Sequence, residues 1–182
     1  MAVRNKIFIP NEIYFITFTI LGWKNIFIND KYCDLVYKWF DYVALNYNNK
    51  IHGYIIMPNH IHILIYISDK SPKISTLIQN AKRFLAYQIV ALLIEESRND
   101  LLDFFSSNVR RKFGAKYKVF EDKYDSLIIQ SEKFFLEKLN YIHNNPCVSK
   151  WNLVHNPQDY KYSSASNYME GRGAYDVSLI KF

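Results

Sequence analysis

The sequence predicts an α+β protein with one antiparallel β-sheet, and three observations support that fold class. Two segments rich in β-branched residues, 51–57 and 60–67, are separated by only two residues, which favours an antiparallel pair. Segments with helical periodicity alternate with the predicted strands. In a chain of 182 residues, 49% hydrophobic and 22% charged residues are typical of a globular domain and exclude disordered classes. We therefore expect helices packed on the faces of a single sheet.

The first half of the chain contains three predicted strands and one predicted helix. Residues 13–20 are β-branched and aromatic enough for a strand. Asp30 is the expected N-cap of a helix over 31–47. The apolar face of that helix is expected to comprise Leu35, Trp39, Tyr42 and Val43. The dipeptide Pro58-Asn59 is the expected turn between the two strands already named.

The second half begins with a long predicted helix. The dipeptide Ser71-Pro72 opens it, and apolar residues at helical spacing continue it over 73–96. Residues 97–118 are less regular and rich in basic side chains, and residues 126–130 predict another strand.

A final helix is expected to precede a turn-rich tail. Ser131 can cap a helix that runs to about Asn145, where Pro146 prevents its continuation. Residues 147–182 are expected to form the tail, and 1–182 a single domain, since no repeat or Gly/Pro/Ser-rich linker divides the chain. The expected anchors of the tail are Tyr160, Tyr162 and Tyr168.

The charge balance favours a polyanionic partner. Lys and Arg total 23 against 17 Asp and Glu, which gives a formal net charge of +6. Coding from an AT-rich genome is an alternative explanation for this composition. Cys33 and Cys147 make no disulfide framework, and neither a signal peptide nor a membrane span is predicted. We expect a cytoplasmic protein without membrane partners.

His60 and His62 form the first candidate site. Two residues apart in a strand, they project from one face, about 6.5–7 Å apart along the chain, and their imidazoles can converge on one metal ion. The opposite face of the strand carries isoleucines and is the expected core side. The alternative is two half-exposed histidines on the surface of a sheet.

Tyr141 and Asn145 form the second candidate site. They are four residues apart and therefore share one face of the last predicted helix. If that face packs over the histidines, the chain assembles a site of two His, one Asn and one Tyr. The alternative is a packing role for Tyr141, which is one of 15 tyrosines.

These two elements together resemble a known family. Residues 58–64, Pro-Asn-His-Ile-His-Ile-Leu, resemble the HUH motif of single-tyrosine transposases, in which two histidines flank a hydrophobic residue. Residues 141–146, Tyr-Ile-His-Asn-Asn-Pro, followed by Tyr-Lys-Tyr-Ser-Ser at 160–164, are similar to the REP-associated branch of that family. The resemblance covers about residues 10–168. It implies a ferredoxin-like antiparallel sheet with helices on its faces.

The resemblance also implies the chemistry. His60, His62 and Asn145 would bind a divalent metal ion, Mg²⁺ or Mn²⁺, and Tyr141 would be the nucleophile. The enzyme would be a metal-dependent tyrosine transposase that cleaves and rejoins single-stranded DNA through a 5′-phosphotyrosine intermediate. His143 lies about 200° around the helix from Tyr141, so we expect it to be structural or a DNA contact and not a ligand.

Basic residues are the expected DNA contacts. Lys82 and Arg83 lie on the long helix, where similar residues recur in the family. A second group is Arg110, Arg111 and Lys112, the start of a run of five cations in nine residues. The alternative for this run is a solvated loop.

Two other functions remain open at this point. One is a non-catalytic, domesticated protein that binds DNA hairpins, although such a binder need not keep all four site residues. The other is an HUH replication or conjugation nickase, which usually carries additional domains. The expected partner is single-stranded DNA, at hairpin ends, and the expected oligomeric state is a monomer or a homodimer.

Overall fold

A computed structural model describes residues 8–109 and 114–180 of the chain. The strands are β1 (Glu12–Ile20), β2 (Lys50–Met57), β3 (His60–Ile67) and β4 (Phe120–Ile128). The α-helices are α1 (Asp30–Tyr47), α2 (Ile74–Glu95), α3 (Asn99–Ser107), α4 (Glu132–Asn144) and α5 (Ala165–Glu170).

Within these residues the strands form one antiparallel sheet in the order β2-β3-β1-β4. The chain runs from β1 through α1 to β2, and the following strand β3 inserts between β1 and β2. After α2 and α3, β4 pairs with the other side of β1. This is the ferredoxin-like arrangement, and it confirms the predicted α+β fold class. The two central strands, β1 and β3, are paired on both sides.

Alternation along the central strands divides their side chains between two cores. The residues of β3 that belong to the larger core with α1 and α2 are Ile61, Ile63, Ile65 and Ile67, as predicted. The opposite face is covered by α4 through a smaller apolar cluster. That cluster consists of Phe15, Ile55, Met57, Leu64, Ile129, Phe135, Leu139, Ile142 and Tyr160. The histidine face of β3 is therefore the face on which α4 packs.

The caps of α1 and α4 differ in how well the sequence predicts them. Asn29, and not Asp30, caps α1: its side chain accepts a hydrogen bond from a first-turn N–H at 3.4 Å. Asp30 is the first helical residue, and its carboxylate accepts hydrogen bonds from Lys161 (2.7 Å) and Tyr162 (2.8 Å). The predicted cap of α4 is confirmed, because Ser131 Oγ accepts a first-turn N–H at 3.2 Å.

Three other sequence predictions are corrected. The last strand is Phe120–Ile128, whereas the sequence predicts 126–130. This strand lies at the edge of the sheet, where charged side chains are tolerated, and these charges obscure the apolar alternation by which a strand is recognised. The region 97–118, expected to be irregular, contains α3. The buried residues of that helix are Leu101, Leu102 and Phe105. Tyr42 is 49% exposed and not part of the apolar face of α1, and its hydroxyl lies 3.4 Å from that of Tyr47.

The C-terminal segment covers the outer edge of β2. The N–H of Ile56 donates to the carbonyl of Tyr162 (2.9 Å), and the N–H of Ser164 donates to a β2 carbonyl (3.0 Å). The hydroxyls of Tyr160 and Tyr168 donate to further β2 carbonyls, at 3.0 and 2.7 Å. The segment thus protects one open edge of the sheet, and these two tyrosines anchor it as predicted.

Both cysteines of the chain lie within the described residues. Cys33 is buried, Cys147 is partly exposed, and both are free thiols. No helix in the described part of the chain combines the length and apolar character needed to span a bilayer.

Gly53 of β2 determines how closely α4 can approach the sheet. A Cβ at this position would lie 2.8 Å from Leu139 Cδ1 and 3.2 Å from Ile142 Cδ1, both on the buried side of α4. Such distances are shorter than ordinary van der Waals contact, so any larger residue would have to displace the ends of these two side chains. The absence of a side chain at Gly53 therefore leaves room for Leu139 and Ile142 of α4 to pack against β2.

We expect Gly53→Ala to destabilise the fold through this contact. Overpacking costs about 1–3 kcal/mol, partly offset by the roughly 0.5–1 kcal/mol that alanine gains over glycine in a strand interior. The free energy of unfolding in urea measures the net loss. In a Leu139→Ala background the loss should be smaller, because the nearer of the two contacting methyl groups is gone while that of Ile142 remains. An equal loss in both backgrounds would contradict this account of the packing.

Candidate active site

His60 and His62 lie side by side beneath α4. Their ring centroids are 4.7 Å apart, and they are only 6% and 5% exposed. Both are far more buried than the half-exposed surface pair that the sequence left open as an alternative. Buried imidazoles need specific partners for their ring nitrogens, and those partners define what the pair can do.

The ring of His60 is fixed by a neighbouring amide. Asn59 donates through Nδ2 to the carbonyl of Trp23 (3.2 Å) and to Asn25 Oδ1 (3.3 Å), which orients its Oδ1 towards His60. Because an amide oxygen only accepts, His60 Nδ1 donates to it at 2.8 Å. The Nε2 of His60 is therefore the unprotonated nitrogen with a free lone pair.

The ring of His62 has a partner on one side only. Its Nδ1 lies 2.6 Å from Oγ1 of Thr17, the residue directly opposite it on β1. Its Nε2 is buried and has no hydrogen-bond partner among the described residues. A buried imidazole nitrogen without a partner is costly to the fold and is the arrangement expected of a ligand nitrogen.

Both imidazoles are held in the neutral form. Burial lowers the pKa of His60 to about 4, and the nearby Lys150 ammonium contributes in the same direction. Burial lowers the pKa of His62 to about 3, with His60 as a smaller cause. Neutral imidazole is the form that binds a metal ion, so neither nitrogen has to lose a proton near neutral pH.

Tyr141 lies on α4 directly above this pair. Its ring centroid is 5.3 Å from that of His62 and 6.1 Å from that of Phe15, in edge-on contacts. Phe15 in turn stacks on His62 at 5.5 Å. The side chain of Tyr141 is nevertheless 50% exposed, so a ligand in solvent can reach the phenol. The structure thus brings Tyr141 and the two histidines together, as the sequence predicts.

Lys138, one turn before Tyr141, adds a positive charge that the sequence analysis missed. Its Nζ lies 5.9 Å from the centre of the Tyr141 ring and 5.6 Å from that of Phe15. Glu137 lies 3.6 Å away, and the Lys138 side chain is 21% exposed. The i, i+3 spacing of Lys138 and Tyr141 was the available signal.

Asn145 occupies the C-cap position of α4 and keeps helical backbone angles (φ −53°, ψ −44°). It therefore shares a helix face with Tyr141, one turn earlier, and it is 7% exposed. Two imidazole nitrogens and an amide oxygen are a neutral donor set suited to Mn²⁺ and Mg²⁺. Within the described residues, no group of three His, Cys, Asp or Glu is arranged to hold a metal ion. Because these three donor groups carry no charge, a divalent cation bound to them would keep a net charge of +2 and attract an anionic ligand.

The predicted DNA contacts on α2 lie apart from this site. Lys82 Nζ donates to three β4 carbonyls, at 2.8, 3.3 and 2.9 Å, and burial lowers its pKa to about 8. Arg83 is exposed, and its Nη2 donates to Asn80 Oδ1 at 3.2 Å. The remaining predicted contacts, Arg110, Arg111 and Lys112, lie outside the described residues. DNA binding by these five residues stays a prediction.

The other histidines are separate from the pair on β3. His143 is 3% exposed, and its Nε2 lies 2.9 Å from Ser164 Oγ, which fits the structural role among the two alternatives. His52 is buried, and its Nδ1 lies 2.6 Å from the carbonyl of Ser178. His155 is exposed on the C-terminal segment.

No protein-family model and no curated protein matches the sequence. Among solved structures, the chain is similar to a REP-associated tyrosine transposase bound to a REP hairpin. That similarity has a TM-score of 0.66 and 14% sequence identity, and it covers 100% of this chain and 95% of that one. A candidate transposase of Deinococcus radiodurans R1 is similar with a TM-score of 0.48 and 14% identity, over 79% of this chain and 97% of that one.

The first similarity defines the fold class: the chain has the fold of the hairpin-bound REP-associated tyrosine transposase over its full length. The resemblance drawn from His60, His62 and the Tyr141 helix is thereby confirmed at the level of the fold. The TM-score of 0.48 for the second structure is too low to establish a common fold.

The hydrogen bond between Thr17 and His62 leads to a prediction about stability. Thr17→Val should cost about 1–3 kcal/mol, because it leaves His62 Nδ1 buried without a partner. The double variant Thr17→Val with His62→Phe should be about as stable as the unmodified chain, since both polar partners are replaced by apolar groups of similar shape. Urea unfolding with a metal chelator present measures both values. A double variant as unstable as Thr17→Val alone would contradict this prediction, because it would show that His62 stabilises the fold by more than its hydrogen bond with Thr17.

Proposed function

We propose that this protein is a tyrosine transposase of the HUH class that cleaves and rejoins single-stranded DNA at hairpin ends, using Mg²⁺ or Mn²⁺. The observation that carries the proposal is the edge-on contact between the Tyr141 and His62 rings, with centroids 5.3 Å apart. A solvent-accessible phenol above two neutral, paired imidazoles is the arrangement that such chemistry requires. The fold shared with a hairpin-bound REP-associated transposase supports the same function.

Tyr141 is proposed to attack a phosphodiester of the bound strand. The phenolic oxygen forms a bond to phosphorus, and the bond from phosphorus to the 3′-oxygen of the preceding nucleotide breaks. The phenol proton is lost, and the departing oxygen gains a proton to become a 3′-hydroxyl. The 5′-phosphate stays covalently bound to Tyr141, which conserves the energy of the phosphodiester. Attack by a 3′-hydroxyl reverses the step and joins two strands.

His60, His62 and Asn145 are proposed to hold the metal ion. The free lone pair of His60 Nε2 and the unpartnered Nε2 of His62 are the nitrogens available to it. When bound, the ion would polarise the phosphate and orient it for in-line attack. Asn59 and Thr17 fix the two rings from behind, at 2.8 and 2.6 Å, so that both Nε2 atoms stay in place.

Lys138 is proposed to assist Tyr141 electrostatically. A phenol retains its proton at neutral pH, so negative charge develops on its oxygen as attack begins. The Lys138 ammonium lies 5.9 Å from the centre of the ring and is partly shielded from solvent. A positive charge in that position stabilises the developing phenolate.

Tyr141→Phe should abolish the covalent protein–DNA complex while leaving DNA binding within about twofold. The probes are 3′-labelled single strands that carry the short palindromes flanking the gene, because the label then stays with the protein-linked fragment. Denaturing gels detect the covalent complex, and native gels detect binding. Tyr87→Phe, an exposed tyrosine on α2, is the matched control and should behave like the unmodified chain.

A covalent complex that survives in Tyr141→Phe would refute the assignment of the nucleophile. Appearance of joined strands in the same reactions separates a transposase from a nickase, and hairpin binding with no complex in the unmodified chain would favour the non-catalytic alternative.

His60→Ala and His62→Ala should each abolish Mn²⁺ binding measured by calorimetry, together with cleavage. Thr17→Val should weaken Mn²⁺ binding by about 10- to 100-fold, because the ring of His62 loses its support. The affinity of the unmodified chain should change little between about pH 6 and pH 8. The reason is that the pKa values of both histidines, about 4 and 3, are lowered from the usual 6.5, so both rings stay neutral there.

His155→Ala is the control, since His155 is exposed and separate from the site. Unchanged Mn²⁺ binding in His60→Ala and His62→Ala would exclude the metal role of this pair.

A further inference from the structure

A second group of aromatic rings lies on the side of the histidine pair away from Tyr141. The ring of His60 is 5.8 Å from that of Trp23 and 5.7 Å from that of Trp151. Lys150 Nζ lies 5.6 Å from the centre of the Trp23 ring and 5.5 Å from that of Trp151. With His62 and Tyr141, these rings form a continuous row: tryptophan, His60, His62, Tyr141.

Trp23 is held in a backbone conformation that a bulky residue rarely adopts. Its φ is +55°, and the preceding Gly22 has φ +61°. A large side chain in the left-handed region is a source of strain, and such strain concentrates at binding and catalytic sites. Burial offsets only part of this strain, because Trp23 is 56% exposed. Much of its ring therefore stays accessible to a ligand.

We propose that Trp23 and Trp151, together with Lys150, form a stacking subsite for an unpaired base of single-stranded DNA next to the bond cleaved at Tyr141. Aromatic side chains beside a cation are the usual means of binding single-stranded bases without sequence preference, because every base has a flat face. The position relative to the cleaved bond rests on the proposed function. The subsite itself rests on the two tryptophans and the lysine.

Charge fixes how the strand lies on this subsite. Beyond Trp23 is an open pocket of about 440 Å³. Three acidic residues in its lining, Glu121, Asp122 and Asp125, outnumber the one basic residue, Lys123. Acidic side chains repel phosphates, whereas the flexible stem of Lys150 lets its ammonium follow a phosphate next to a stacked base. The base is thus expected on the tryptophan faces and the backbone on the Lys150 side.

Tryptophan fluorescence tests the proposal directly. The third tryptophan, Trp39, is 3% exposed in the larger core and gives a constant background. The probes are a thymidine oligomer and an abasic deoxyribose-phosphate oligomer of the same length and charge. The thymidine oligomer should quench the fluorescence and bind more tightly by about 5- to 150-fold, the range expected for one base stack.

Trp23→Asn and Trp151→Leu should each reduce thymidine-oligomer affinity towards that of the abasic oligomer, with abasic binding unchanged. Asparagine adopts positive φ readily, so the melting temperature of Trp23→Asn should be equal to or above that of the unmodified chain. Leucine keeps the apolar contacts that Trp151 makes with the α4 cluster. Tyr42→Leu, an exposed aromatic residue on α1, is the matched control and should change neither affinity.

Equal binding of the two oligomers by the unmodified chain, or unchanged thymidine binding in both folded tryptophan variants, would overturn the proposal. Tyr141→Phe separates this result from the proposed function. It should keep the base-dependent quenching, so a missing covalent complex leaves the stacking subsite intact. Conversely, a covalent complex formed equally well by the tryptophan variants and the unmodified chain on limiting DNA would reject the subsite while keeping the transposase.

Discussion

The close packing of α4 on the sheet at Gly53 is the constraint on which the site depends. Tyr141 lies on α4 and the histidines on β3, about eighty residues earlier in the chain, and the packing of α4 on the sheet brings the rings of Tyr141 and His62 to 5.3 Å. Leu139 and Ile142 flank Tyr141 in sequence and bury their side chains in the space that a Cβ would fill. The apolar side of α4 thus packs against β2, while Tyr141, between Leu139 and Ile142 in the sequence, keeps its phenol half exposed.

The histidine pair shows how burial prepares a ligand set. Removing the imidazoles from water makes their charged forms unfavourable, so each ring is neutral near neutral pH and keeps one nitrogen with a lone pair. The same burial leaves His62 Nε2 without a partner in the described residues, a local cost to stability. Asn59 selects the nitrogen of His60 that is free, and Thr17 is the partner of the other nitrogen of His62. The local cost to stability thus falls on His62 Nε2, the atom that the proposed function assigns to the metal ion.

The parts of the site that the sequence predicts are those governed by local periodicity. Two-residue alternation places His60 and His62 on one face, and four-residue spacing places Tyr141 and Asn145 on another. Whether the two faces meet depends on how α4 packs on the sheet, and the contact of Leu139 and Ile142 with Gly53 is visible only in the folded structure. The tryptophan cluster was missed because its members come from a loop after β1 and a turn after α4. The strand at β4 was misplaced because edge strands tolerate charge.

The distribution of charge favours the α4 side of the sheet for the strand of the proposed function. On the α2 side, Lys82 is committed to three backbone carbonyls of β4, so its charge stabilises the sheet edge and is not free to meet a phosphate in this conformation. The cations beside the histidine pair are Lys138 near Tyr141 and Lys150 near the tryptophans, one at each end of the row of rings. A single strand that follows this row would meet Lys138 at the Tyr141 end and Lys150 at the other end, where the two tryptophans offer faces for base stacking. Net charge alone could not locate that path, because the net charge of +6 includes cations such as Lys82 whose ammonium group is hydrogen-bonded within the fold.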